Sequence, residues 1–138
     1  MKEFETQALT DNLPDVLAFV DQQLEEVGCP MKIQMQIDVA VEEIFVNIAH
    51  YAYDNGTGKA VVRVEIHDDP LCADITLIDN GVPFDPLAKA DPDITLAANE
   101  RKIGGLGIFM VKKSMDDVIY EYVNGHNMLT IKKGLAKK

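Results

Sequence analysis

Two cysteines and three histidines among 138 residues leave little for cross-linking or metal chelation. Cys29 and Cys72 are far apart and in no paired motif, so they read as reduced cytosolic thiols. His50, His67 and His126 share no ligand spacing with each other or with the cysteines, which excludes an obvious zinc site. No stretch approaches the ~18 uninterrupted apolar residues of a bilayer span. Met1-Lys2-Glu3-Phe4-Glu5-Thr6 has neither the basic end nor the apolar core of a secretory signal. A cytoplasmic protein with no membrane attachment is therefore expected. Neither a Gly-x-Ser-x-Gly elbow nor a Walker-type Gly-x-x-x-x-Gly-Lys occurs. Basic residues are also scarce, 13 Lys and Arg against 23 Asp and Glu, for a net charge of −10. That balance removes long-range attraction to duplex phosphate and argues against direct nucleic-acid binding.

What is present is an ordinary apolar fraction, 47%, in a length that suits one compact domain over residues 1–138. Such a domain buries roughly two-thirds of its unfolded surface and needs no disulfide or metal to fold. The charge is unevenly spread. Residues 1–100 carry a balance of −15 and residues 101–138 a balance of +5. The basic end reads as a solvated face and tail (133–138), except where its leading edge, Arg101-Lys102, precedes a glycine cluster.

Periodicity orders the chain. Residues 3–9 alternate weakly, as in a short strand. Asn12 is placed to cap a helix with Pro14 in its first turn, carrying Leu13, Val16, Leu17, Val20, Leu24 and Val27 inward and stopping at Gly28. A longer helix is expected from about Lys32 to Tyr53, with Ile33, Ile37, Ala40, Val41, Ile44, Ile48 and Ala52 as its buried stripe. After the turn residues Asp54–Gly58, Val62, Val64 and Ile66 alternate in one strand. Ala73, Ile75 and Leu77 lead a second strand to Asp79 on the same face. No period is sustained from Asn80 to Gly104, and a loop of that length in a compact domain is usually functional or disordered. Gly105 to Met115 reads as a helix, and strands Val118–Val123 and Met128–Lys132 join at Asn124-Gly125. The order implies an α/β (α+β) two-layer sandwich with helices packed on one face of a mixed, mostly antiparallel sheet.

Three segments are unusual for a purely structural domain. In the second helix Glu43 and Asn47 stand one above the other beside the apolar stripe. Asn is a poor mid-helix residue that asks for a partner, and its acceptor oxygen beside a carboxylate could serve a magnesium ion and a general base. A solvated helix surface would explain a lone Glu there. In Asp79-Asn80-Gly81, a turn alone would account for Asn-Gly. Asp79, however, continues an inward face, where a carboxylate is costly unless hydrogen-bonded, and an adenine amino group is one suitable donor. Gly104-Gly105-Leu106-Gly107 opens a helix, where backbone amides attract phosphate, although lid hinges look the same.

In this order the three segments resemble the ATP-binding boxes of the GHKL superfamily (gyrase, heat-shock chaperone, histidine kinase, MutL), and within it the small anti-sigma-factor serine kinases. The likeness covers nearly the whole chain, including Glu43-x-x-x-Asn47, Tyr51-Ala52-Tyr53, Asp79-x-Gly81, Gly105-x-Gly107 and Ser114-Met115-Asp116-Asp117-Val118. It implies the Bergerat ATP-binding fold, with ATP and Mg²⁺ as cofactors. Asn47 would coordinate the metal, Asp79 would bind the adenine amino group, and Gly81 would allow close approach. Gly104, Gly105 and Gly107 would line the phosphates from a lid over residues 86–104, with Lys102 or Arg101 meeting them. Glu43 would be the base toward a serine or threonine on a STAS-type anti-anti-sigma partner, and a sigma factor would be sequestered. The resemblance is also compatible with a homodimer. Two alternatives stand beside this: an ATP-dependent module that holds its partner without phosphorylating it, and a signalling switch kinase that binds no sigma factor.

Overall fold

The computed structural model describes residues 1–53, 58–88 and 105–135. Strand β1 (Lys2–Gln7) leads through a 3-10 turn (Thr10–Asn12) into helix α1 (Leu13–Glu26) and helix α2 (Met31–Tyr51). Strands β2 (Lys59–Asp68) and β3 (Leu71–Asp79) follow, then a second 3-10 turn (Pro86–Ala88), helix α3 (Gly105–Ser114), and strands β4 (Asp117–Val123) and β5 (His126–Gly134).

The five strands form one sheet in the order β1-β2-β3-β5-β4. Among the described residues every pairing is antiparallel. β5 reaches the centre beside β3 because the Asn124-Gly125 turn folds it back and leaves β4 at the edge. Both turn residues take positive φ, 53° and 82°, the backbone that a two-residue hairpin requires.

Alternation sends Ala60, Val62, Val64, Ala73, Ile75, Leu77, Leu129 and Ile131 to one face, where all are buried. The helices cover that face with Val16, Val20 and Leu24 of α1, Ile37, Val41, Ile44, Phe45 and Ile48 of α2, and Val111 of α3. Thr76 and Thr130, on the opposite face, share a 2.8 Å hydrogen bond across the pair. The expected helical stripe differs in two places: Ile33 is only half-buried, and Phe45 is fully buried.

The expected cap of α1 is not made. Asn12 occupies the N-cap position without a side-chain cap bond, and its amide instead donates to the Gln7 carbonyl at 3.1 Å. The preceding 3-10 turn already bends the chain there, so the side chain ties the turn back to β1. Gly28 ends the helix with φ +71°, a conformation glycine adopts without strain.

Candidate functional site

The last turns of α2 and the end of β3 meet. The amide of Val82 donates to the Ala52 carbonyl at 3.0 Å, which closes the helix end against the loop that leaves β3. Tyr53 fastens the same junction. Its hydroxyl donates to the Lys59 carbonyl at 2.6 Å and accepts from the Asn80 amide at 2.9 Å. Burial pushes the Tyr53 phenol up, which keeps it protonated for the first of these bonds.

Gly81 sits directly on this closure. A β-carbon built there would overlap the Ala52 carbonyl and its own β-carbon, so no other residue fits without moving backbone. The close approach that glycine permits here is thus to the end of α2. Gly81 is absent from the cavity lining described below.

On α2, the Asn47 amide nitrogen donates to Glu43 Oε1 at 3.4 Å, and both side chains are half-buried. The i, i+4 spacing places them one turn apart, as the sequence predicts. With its nitrogen occupied, Asn47 retains its carbonyl oxygen as an acceptor.

Asp79 closes β3 and is 6% exposed. Its Oδ1 accepts from the Gly81 amide at 2.8 Å and from Asn127 Nδ2 at 2.9 Å. Both bonds fall on one oxygen.

Asn127 was not among the predicted site residues, yet it organises this corner. Its Nδ2 also donates to the Val82 carbonyl at 2.9 Å, and its Oδ1 accepts from the Phe84 amide at 3.1 Å and from the Tyr120 hydroxyl. Burial pushes the Tyr120 phenol up, so the hydroxyl remains a donor. The register pairs Asn127 directly with Asp79. A signal existed, since Asn127 shares the inward face of Leu129 and Ile131, where a polar side chain needs a partner.

Asn47 and Asp79 line a single cavity of about 470 Å³, counting its open mouth. Its walls are largely apolar, with Ile44 and Ile48 from α2, the cross-strand pair Leu77 and Leu129 from the sheet, and Ile108 from α3. This is the usual make-up of a small-molecule site: apolar walls with few convergent polar groups.

The Glu43 carboxylate lies against α3. A β-carbon at Gly107 would overlap the Glu43 carboxylate. Gly107 is therefore glycine at a contact with the candidate base. Gly105 opens α3. Lys102, Arg101, Gly104 and most of the expected lid lie outside the described residues, as does most of the turn after Tyr53.

Among the described residues no group of three or more His, Cys, Asp and Glu could hold a metal ion, and no helix is long and apolar enough to cross a membrane.

Residues 6–133 match the family model described as Histidine kinase-like ATPase domain. The chain is 30% identical over 98 residues to the serine-protein kinase RsbW of Bacillus cereus (strain AH187), covering 68% of this chain and 60% of that protein. It is 30% identical over 101 residues to the serine-protein kinase RsbW of Listeria monocytogenes serovar 1/2a (strain ATCC BAA-679 / EGD-e), covering 70% and 63%. The match thus spans less than two-thirds of the length of either relative. Among solved structures, the RsbU and RsbW domains of Rv1364c from Mycobacterium tuberculosis superpose with a TM-score of 0.69 at 16% identity, covering 100% of this chain and 34% of that one. The histidine kinase domain of the Erythrobacter litoralis EL346 blue-light activated histidine kinase gives 0.53 at 13% identity, covering 91% and 60%. At those identities the two structures speak to fold alone.

Proposed function

The chain belongs to the histidine kinase-like ATPase (GHKL) family, and from that premise we propose that it is an ATP-binding anti-sigma regulatory factor with serine/threonine protein kinase activity. In this reading it phosphorylates a STAS-type anti-anti-sigma partner and sequesters a sigma factor in the cytoplasm. The observation that carries the proposal is that Asn47 and Asp79, from separate elements, line one apolar cavity while Glu43 stands one helical turn from Asn47.

The residues fit the nucleotide. Oδ1 of Asp79 is already engaged by Gly81 and Asn127, so Oδ2 is the oxygen to accept from the adenine amino group. The apolar walls suit the faces of the base. Asn47 offers its carbonyl oxygen to Mg²⁺, an ion held by few protein ligands together with phosphates and water. Gly104, Gly105 and Gly107 would present backbone amides to the phosphates near the start of α3, with Lys102 or Arg101 adding positive charge.

Bound Mg–ATP supplies the phosphoryl group and the neutralisation of its oxygens; positioning is the larger part of what the protein must add. Glu43 would take the proton of the acceptor hydroxyl as that oxygen bonds to the γ-phosphorus, while the bond from that phosphorus to the bridging oxygen breaks and ADP leaves with its electron pair.

Incubation with labelled ATP and a purified STAS-domain protein from the same organism tests the reading. Phosphoserine or phosphothreonine on that protein is the expected result. A stable ATP-dependent complex without label would replace the kinase with a binding module, and transfer without affinity for any sigma factor would leave a switch kinase.

A further inference from the structure

One ridge of α2 is only partly used by the nucleotide site. At i+4 spacing it runs Met31, Met35, Val39, Glu43, Asn47, Tyr51. Its last two members line the nucleotide cavity. Its first three are large apolar side chains left 64%, 60% and 66% exposed. Together with Met110 of α3, itself 53% exposed, they line an open groove between α2 and α3. Glu43 and Gly107 line the same groove. Scattered exposed apolar residues need no explanation, but four lining one groove that includes a half-buried carboxylate do.

We propose that this groove is the docking surface for the protein substrate, and that it seats apolar side chains flanking the hydroxyl presented to Glu43. The inference rests on the kinase reading above and adds the direction of approach. Met35 lies about 12 Å along the helix axis from Glu43, a span that a short extended segment covers in about four residues. Methionine suits such a surface because its unbranched, polarisable side chain repacks around different shapes.

Interface size and access to Glu43 favour a transient protein partner over a second copy of this chain. Four side chains cannot supply the roughly 800 Å² per partner that a stable interface buries, whereas a substrate must leave after transfer. A permanent dimer seated here would moreover cover the carboxylate that the acceptor hydroxyl has to reach.

The test uses the full chain, ATP and a purified STAS-domain protein from the same organism. Met31→Glu and Met35→Glu place charge on exposed positions of the groove two or more helical turns from Glu43. Each should raise the KM for the protein substrate about tenfold or more, with kcat and ATP affinity unchanged, and Met35→Leu should restore it. Transfer by the wild type with an unaltered KM in both charge variants overturns the docking surface and leaves the kinase reading intact. If the wild type transfers no phosphate, the kinase reading fails. The groove is then judged by the ATP-dependent complex: weakening by the charge variants supports it, and an undiminished complex overturns it. Neither transfer nor a complex overturns both. Sedimentation of the same variants covers the remaining case, because a dimer that dissociates on Met35→Glu assigns the groove to a second copy and overturns the proposal.

Discussion

The carboxylate of Glu43 lies so close to Gly107 that a single added methyl group would occupy its place. The contact joins the middle of α2 to the first turn of α3, two elements far apart in sequence. Because the displaced atoms are the end of a flexible side chain, Gly107→Ala should fold normally, with a Tm within a few degrees of the wild type. It should nevertheless reduce phosphoryl transfer by about tenfold or more, since the base is forced out of position. Thermal melts beside single-turnover transfer separate the two effects.

Gly81→Ala should behave in the opposite way. Its added carbon meets the backbone of Ala52, which cannot swing aside. A loss of about 1–3 kcal/mol is expected in chemical denaturation. Nucleotide affinity should fall with it, because the loop beside Asp79 must shift.

Asn47 and Glu43 should separate binding from chemistry. Asn47→Ala should abolish Mg²⁺-dependent nucleotide binding, whereas Glu43→Ala should spare binding and lose transfer. Calorimetric titration of ATP with and without Mg²⁺ decides the first. Normal Mg²⁺-dependent binding by Asn47→Ala would remove the metal assignment.

Asn127→Ala should destabilise the chain by about 2–4 kcal/mol, because Asp79, the Val82 carbonyl, the Phe84 amide and the Tyr120 hydroxyl lose a common partner. It should also weaken ATP binding by leaving Asp79 held through Gly81 alone. Equilibrium unfolding and nucleotide titration of the same variant test both statements.

Asp38 of α2 and Asp21 of α1 face each other, each with a buried Oδ1. Burial, the hydrogen bond to Asp21 and the nearby charges of Asp21 and Glu25 raise the Asp38 carboxyl from its ordinary 3.8 to about 8. The folded chain therefore binds a proton more tightly than the unfolded chain. That stabilisation is fully present below about pH 4 and is lost as pH rises through about 8. Asp38→Asn, which keeps a donor and removes the charge, should flatten this part of the stability profile. Denaturation midpoints measured from pH 5 to 9 should fall for the wild type and change less for the variant.

Much of the fold was legible in local patterns. The 3.6-residue period of α2 placed Glu43 and Asn47 together beside the apolar stripe, and the alternation of β3 carried Asp79 inward with Ala73, Ile75 and Leu77. Asn124-Gly125 marked the hairpin. The cap expected at Asn12 failed because a 3-10 turn competes for the same residues, and a capping preference carries no information about the neighbouring strand that Asn12 binds instead. Gly81 was readable as a close approach, but its partner, the end of α2, was not.

By itself, then, the sequence determined which residue types stand on which face of each element, because side-chain direction repeats with the local backbone period. The tertiary structure alone decided which faces meet. Asn127 reaches Asp79 through sheet register, and Glu43 reaches Gly107 through the packing of two helices. Asn47 and Asp79 share a cavity because α2 lies across the end of β3. These juxtapositions depend on contacts between segments distant in the chain, and no local period encodes them.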